Sequence, residues 1–269
     1  MNERQPSTAL ARALRLTEHF STGVVLAVPV AVLGLLKRPR PWLPGLVAWW
    51  HRRLLRSLAV GVEATGTPVQ GALLVVNHVS WLDIPVLGSL APVRFVSKLE
   101  VRRWPVVGWL ADLAGTLFMQ RGAHQATAMA RVIAAELQAG ATVAIFPEGT
   151  TGDGRELKRF HARLLAAADG GQVPIQPVAI RYGNGVEPDA IAPFIGDDSL
   201  LPHLGRVLRH PELCVRVSFL PQLDPAGLTR RALAEAAREA IDRQLRDWSN
   251  AACGSSAATP DAHAAARTF

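Results

Sequence analysis

His78 and Asp83 are the residues of this sequence whose types and spacing best suit proton-transfer chemistry. They flank residues 79–82 and follow an apolar run, 73–76, that is typical of a short buried strand. On one continuous helix the two side chains would point in different directions, because a turn takes 3.6 residues. We therefore expect His78 in a loop and Asp83 in the first turn of the next helix, with Ser80 as its N-cap.

A histidine hydrogen-bonded to a carboxylate can act as a general base. The carboxylate fixes the tautomer of the ring and stabilises the imidazolium that forms, and an imidazole titrates near neutral pH. A structural interpretation of this stretch is also open. Ser80 and Asp83 match a capping box, and His78 alone fits a loop histidine with satisfied hydrogen bonds.

Two further polar stretches end segments predicted as strands. Residues 115–121 end in Arg121, and open α/β sheets bind ligands at the carboxyl ends of their strands, although a solvated charge explains an isolated arginine more simply. Residues 146–154 contain three glycines, which permit close approach of the backbone to a ligand, and Glu148, which can hold a substrate hydroxyl. This stretch lacks the Lys-Ser/Thr of a P-loop, and a flexible turn is the alternative.

A third stretch, 173–178, is apolar and contains two prolines, Pro174 and Pro177. Proline within a strand lacks a donor for the ladder, so Pro177 predicts an edge or bulged strand. The segment fits an acyl-chain groove and core packing equally well.

The N-terminal region has the composition of a membrane-binding element. Residues 20–36 carry no charge, and at 1.5 Å per residue they reach about 25 Å, against about 30 Å for a hydrocarbon core. With Pro29 inside it, the run either spans the bilayer, enters and returns, or lies at its surface. The basic residues 37–40 argue against a cleaved signal peptide and favour a cytoplasmic location for the rest of the chain. Residues 41–58 form a predicted amphipathic helix rich in Trp and Arg, for which we favour membrane contact over core packing.

The composition supports an anionic membrane surface or an anionic substrate as the partner of this chain. Of 269 residues, 49% are hydrophobic and 19% are charged, with a net charge of +7. We expect no nucleic-acid partner, because the chain has one Tyr and no zinc-finger, RNP or basic-zipper pattern. Cys214 and Cys253 lie far apart, so no disulfide or thiolate metal site is expected.

Alternating strand and helix patterns from residue 60 onward predict an α/β fold with a central, mostly parallel sheet flanked by helices. We predict three regions: membrane-associating helices in 1–58, the α/β domain in 59–249 and a disordered tail in 250–269. The predicted strands are Val60–Ala64, Ala72–Val76, Arg94–Val96, Thr116–Met119, Thr142–Phe146, Ile175–Ile180 and Leu213–Phe219. The predicted helices of the domain are His124–Leu137, Phe160–Ala168 and Thr229–Leu245.

The four stretches, in this order, resemble the four-block pattern of the glycerolipid acyltransferase family, the bacterial 1-acylglycerol-3-phosphate acyltransferases. The match is close in 77–83 and 146–150, adequate in 115–121 and loose in 173–177, and the resemblance covers about residues 40–220. It implies acyl transfer from an acyl carrier protein or coenzyme A thioester to the hydroxyl of a lysolipid, at the cytoplasmic face of the inner membrane. No cofactor, metal or covalent acyl-enzyme is implied.

The resemblance also implies roles for individual residues. His78 would deprotonate the hydroxyl and return the proton to the departing thiolate, and Asp83 would orient His78. Arg121 would hold the phosphate of the acceptor and Glu148 its glycerol hydroxyl. The predicted substrate-binding residues are Asn77, Arg121, Glu148, Gly149, Thr150, Thr151, Arg155 and Lys158.

The sequence departs from the family at Thr151, where the pattern usually continues with a phosphate-binding arginine. Either Arg155, Lys158 or Arg159 compensates, or the acceptor lacks a phosphomonoester. Because Arg121 is retained, we favour lysophosphatidic acid as the acceptor, with phosphatidic acid as the product in phospholipid biosynthesis. The alternative is a lyso-ornithine lipid, since Thr-Thr-Gly-Asp-Gly resembles the lyso-ornithine-lipid acyltransferases. A non-catalytic lipid-binding protein would not explain His78 and Asp83, and the Gly-x-Ser-x-Gly of a serine hydrolase is absent.

Overall fold

A seven-stranded sheet forms the centre of the part of the chain that the computed structural model describes, residues 8–120, 123–168, 173–185 and 187–256. The strand order is β1-β7-β6-β2-β5-β3-β4, and every described pair is parallel except β6–β7. The sheet confirms the predicted α/β fold. The strands are β1 Val60–Thr65, β2 Leu73–Val76, β3 Val93–Lys98, β4 Leu117–Met119, β5 Thr142–Ile145, β6 Ile175–Tyr182 and β7 Leu213–Phe219.

Helices cover both faces of the sheet, as the wholly buried strands β2, β5 and β6 require. The helices are α1 Ala9–Leu35, α2 Leu43–Ser57, α3 Asp83–Leu90, α4 Leu99–Arg102, α5 Val107–Leu113, α6 Ala123–Gln138, α7 Leu200–Arg209 and α8 Arg230–Ser256, with a 3-10 turn at Leu164–Ala168. Alternate residues of β2 divide between the two cores. Leu74 and Val76 pack with α1, α2, α3 and α7, whereas Leu73 and Val75 pack with α6, the 3-10 turn and α8.

Three predictions about the elements were wrong. Residues 160–168 are helical only in the 3-10 turn, because the backbone N–H of His161 donates to the carbonyl of Pro147 and holds the segment against β5. The last helix was predicted to end at Leu245, but α8 continues to Ser256, while residues 257–269 lie outside the described part. Pro177 lies in β6, an interior strand, so the edge alternative was wrong, whereas the register does shift by one residue beside it: Val178 faces Phe219 but Ile175 bridges to Leu223. Pro177 is tolerated there because the ladder with β7 begins at Val178, and the carbonyl of Pro177 still accepts the N–H of Leu220. This buried position favours core packing over an acyl-chain groove.

Helix α1 lies along the domain. One stripe of the helix is buried from Arg12 to Val30, and the Arg12 guanidinium donates to the carbonyls of His210 and Pro211 beyond the end of α7. The opposite stripe exposes Val25, Val28, Val32 and Leu35. Pro29 lies inside this helix and does not end it. Among the described helices, α1 alone is long and apolar enough to cross a bilayer.

Candidate active site

The carboxyl ends of β2 and β5 place His78 and Glu148 side by side. The two strands are parallel, with Leu73 opposite Val143, so the loops that follow them leave the same edge of the sheet. The loops are joined at two points: the Glu148 carboxylate accepts the backbone N–H of His78 at 2.8 Å, and the His78 carbonyl accepts the N–H of Gly152 at 2.7 Å. Two of the stretches that sequence analysis singled out, 77–83 and 146–154, thus meet at one site.

His78 and Asp83 form the predicted pair. Nδ1 of His78 lies 2.8 Å from Oδ2 of Asp83, with His78 in a loop and Asp83 as the first residue of α3. The same oxygen accepts the backbone N–H groups of Val79 at 2.8 Å and Ser80 at 3.0 Å. The prediction of Ser80 as the N-cap was wrong: no side chain caps α3, and the carboxylate of Asp83 itself binds the preceding loop.

Tyr182 completes the environment of Asp83, and sequence analysis missed it. Its hydroxyl donates to Oδ1 of Asp83 at 2.8 Å, and both side chains are fully buried. Burial and the charge of Asp83 raise the pKa of Tyr182 well above its usual value, so the phenol stays a neutral donor. The available signal was that the one tyrosine of the chain lies two residues beyond the predicted strand Ile175–Ile180.

The ring of His78 is held at Nδ1 by Asp83 and across its face by Phe146. The two rings stack with centroids 4.0 Å apart and an interplanar angle of 21°. The His78 side chain keeps 20% of its surface exposed, whereas Asp83 has none. Since Nδ1 is engaged by Asp83, Nε2 is the ring nitrogen that remains to exchange a proton with a ligand.

Glu148 is buried and bridges the two loops. Its second carboxylate oxygen accepts the N–H of Lys158 at 3.2 Å, so backbone donors engage both oxygens. Burial raises the pKa of Glu148, and the two backbone hydrogen bonds oppose that shift. This geometry favours a role in positioning the loop of His78 over the substrate contact that the resemblance implies.

The remaining predicted site residues divide into structural and exposed groups. Asn77 binds the backbone of Ile180 in β6, donating to its carbonyl at 2.9 Å and accepting its N–H at 2.8 Å. Gly149 takes a positive φ of 72°, which favours glycine, and both Gly149 and Thr150 are exposed. Arg121 lies outside the described residues.

Thr151 lies deeper in the same loop. Its hydroxyl donates to the carbonyl of Phe194, and its own carbonyl accepts Nζ of Lys158 at 2.8 Å. Arg155 points elsewhere: it pairs with Glu187 at 3.6 Å and lines a cavity of about 440 Å³ between residues 154–157 and α8, which His78 and Asp83 do not line. The structure therefore brings Lys158 to Thr151 but does not bring Arg155 to His78.

Comparison with known proteins identifies relatives that cover most of the chain. The sequence profile described as Acyltransferase matches residues 61–181. A lyso-ornithine lipid O-acyltransferase of Pseudomonas aeruginosa is 45% identical over 86% of this chain and 91% of its own. A 1-acyl-sn-glycerol-3-phosphate acyltransferase of Neisseria meningitidis is 33% identical over 73% of this chain and 79% of its own.

A solved structure shares the fold. The crystal structure of the 1-acyl-sn-glycerophosphate acyltransferase PlsC from Thermotoga maritima superposes with a TM-score of 0.65 at 22% identity. The match covers 89% of this chain and 97% of that one. At this identity the match supports the fold alone.

Proposed function

The chain belongs to the acyltransferase family and acts on lysolipids, and from this premise we propose that it acylates the hydroxyl of a lyso-ornithine lipid. The relative at 45% identity carries that name, whereas the relative named for the phosphate acceptor is 33% identical. The comparisons thus support the alternative of the sequence analysis better than lysophosphatidic acid, which remains the second candidate.

The environment of Thr151 is the observation that carries this proposal. Where the family pattern has a phosphate-binding arginine, the chain has a hydroxyl that is already engaged by the Phe194 carbonyl. Nζ of Lys158 uses one of its three N–H donors on the carbonyl of Thr151, and Arg155 is directed to Glu187. Neither residue places the planar guanidinium of an arginine at position 151, so a phosphate-free acceptor fits better.

The proposed reaction uses His78 as the general base. Nε2 of His78 removes the proton from the acceptor hydroxyl as its oxygen attacks the thioester carbonyl, and the buried carboxylate of Asp83 stabilises the imidazolium. The carbon–sulfur bond then breaks, and His78 returns the proton to the departing thiolate. The products are the O-acylated lipid and the free thiol, with no covalent acyl-enzyme.

The donor is proposed as an acyl thioester of acyl carrier protein or coenzyme A. A thioester is an activated acyl group, so proton transfer by His78 and positioning by its neighbours suffice for the chemistry. We place the enzyme on the cytoplasmic face of the inner membrane, with Arg38, Arg40 and the helix α2 near anionic head groups. Because the buried stripe attaches α1 to the domain as far as Val30, this helix fits a surface position better than a crossing one.

The test is a comparison of acceptors. Purified enzyme is given labelled acyl carrier protein or coenzyme A thioesters with lyso-ornithine lipid or lysophosphatidic acid of matched chain length. We expect kcat/KM for the lyso-ornithine lipid to exceed that for lysophosphatidic acid by more than about tenfold, a difference of about 1.4 kcal/mol. The reverse preference would establish the phosphate acceptor instead.

A further inference from the structure

The hairpin α4–α5, residues 99–113, exposes large apolar side chains at its tip. Trp104 is 40% exposed, Val106 39% and Trp109 38%. Val106 also holds a φ of 62°, which is rare and strained for a β-branched residue. Exposed apolar side chains and a strained backbone both cost stability in water. Packing within the described part of the chain does not offset this cost, so the tip is suited to a contact outside the chain.

The hairpin is continuous with the exposed apolar surface of the N-terminal helices. Helix α5 packs against α1, and Leu110 approaches Gly23 there. Together α1, α2 and α5 line a shallow apolar groove that includes Leu26, Leu46 and Trp50. Trp42 and Trp49 of the α2 region are exposed beside this surface, at 46% and 39%. The apolar surface therefore extends beyond α1 and α2 onto the α/β domain itself.

The hairpin also lies at the edge of the sheet that carries His78. Helix α4 begins directly after the carboxyl end of β3, and β3 is the parallel neighbour of β5, whose loop holds Phe146 and Glu148. The head group of a lipid whose hydroxyl reaches His78 must approach the protein at this edge of the sheet. The position of the hairpin thus connects a surface suited to lipid with the site that consumes lipid.

We infer that the tip of the α4–α5 hairpin inserts into the interfacial region of the bilayer, with Trp104 and Trp109 as its anchors. This inference rests on the proposed membrane association and adds a contact that α1 and α2 do not supply. Tryptophan prefers the boundary between head groups and acyl chains. Arg102 and Arg103 flank the tip and suit anionic head groups, but Glu100 and Asp112 offset them, and Arg102 pairs with Asp112 at 3.3 Å. The contribution of the hairpin is therefore mainly apolar and insensitive to salt.

The test uses the full-length double variant Trp104→Ser/Trp109→Ser. Its partitioning onto vesicles of phosphatidylcholine, with and without anionic phosphatidylglycerol, is measured at low and high salt. We expect about a tenfold loss of partitioning at every salt concentration, because each tryptophan offers a large apolar area. Quenching of tryptophan fluorescence by brominated lipids should fall as well.

The matched control is Val132→Ser/Leu228→Ser. These side chains are 44% and 46% exposed, and Val132 lies on α6, which covers the opposite face of the sheet. The control should partition as the wild type does. A short-chain lysolipid in detergent checks the chemistry, since a folded hairpin variant should acylate it at the wild-type rate and lose activity only on vesicle-embedded lysolipid.

The outcomes separate this inference from the proposed function. Wild-type partitioning and quenching by the hairpin variant would overturn the inference and leave acyl transfer untouched. Equal losses in the hairpin variant and the control would also overturn it, because the effect would not be specific to the tip. Failure of the wild type to bind vesicles would overturn the membrane association, and the inference with it.

Discussion

The hydroxyl of Tyr182 donates to Oδ1 of Asp83 at 2.8 Å, while the other carboxylate oxygen faces Nδ1 of His78 at the same distance. Asp83 therefore has a fixed orientation before any substrate arrives. A carboxylate that need not reorganise stabilises a developing imidazolium more effectively than a mobile one.

Tyr182→Phe should lower kcat and leave KM for both substrates nearly unchanged. The substitution keeps the ring that fills the core but removes a hydrogen bond to a charged, buried acceptor, worth about 1.5–3 kcal/mol. A fall in kcat of about tenfold or more in steady-state assays is expected, with a native circular dichroism spectrum. An unchanged kcat would show that the backbone N–H groups of Val79 and Ser80 orient the carboxylate of Asp83 without Tyr182.

His78→Ala should abolish most turnover without unfolding the protein, because the ring is partly exposed and its stacking partner is the single side chain of Phe146 within the described residues. The expected loss in kcat is about 10²–10⁴-fold, typical of a missing general base. Asp83→Asn should lose a comparable amount and some stability, since Oδ2 accepts two backbone N–H groups. The control is His161→Ala, an exposed histidine beyond the same loop, which should keep full activity. Normal acyl transfer by folded His78→Ala protein would contradict the mechanism.

Glu148→Gln distinguishes positioning from substrate contact. An amide keeps one acceptor but places an NH₂ donor against a backbone N–H, so one of the two loop contacts is lost. If Glu148 positions the loop of His78, kcat falls and the unfolding free energy drops by about 1–3 kcal/mol. A rise in KM for the acceptor, with unchanged kcat and stability, would instead favour the contact with a substrate hydroxyl.

Thr151→Arg should improve the use of lysophosphatidic acid. The new guanidinium restores the family pattern and can bind phosphate through two parallel hydrogen bonds, so kcat/KM for that acceptor should rise about tenfold. Arg155→Ala and Lys158→Ala should matter little for the lyso-ornithine lipid. A large rise in KM for lysophosphatidic acid in Arg155→Ala or Lys158→Ala, with that acceptor preferred by the wild type, would support compensation for the missing arginine.

Acidification should destabilise the packing of α1 and α2 through His19 and His51. Burial lowers the pKa of each from 6.5 to about 4, with the charge of Arg53 as a smaller cause at His19. Between these values the unfolded chain binds protons that the folded chain does not, so the unfolding free energy falls as the pH falls. The upper limit of the slope is about 1.4 kcal/mol per pH unit for each histidine.

Urea midpoints at several pH values between about 7 and 4 measure this dependence. His51→Gln should reduce the slope by about half, because the amide does not titrate while His19 still does. The exposed His161→Gln is the control for the substitution itself. Equal slopes in the wild type and His51→Gln would show that His51 does not contribute to the acid sensitivity.

The sequence alone determined the strands, because their apolar runs are local and long enough to identify. All seven strands fall within one or two residues of their predicted bounds, and the predicted pairing of His78 with Asp83 follows from their spacing around a helix start. The family also follows from the sequence, since the four blocks occur in the correct order.

Only the tertiary structure decided which partners surround that pair. Tyr182 is far from Asp83 in the chain and reaches it because β6 lies beside β2, a pairing that local patterns do not encode. Glu148 likewise reaches the loop of His78 because β5 lies beside β2, and its role as a substrate contact stays a prediction. Pro177 favours an edge strand by its type, but long-range pairing places β6 between β7 and β2 in the interior of the sheet. Long-range pairing of strands fixes these contacts, and it depends on the whole core and not on any single segment.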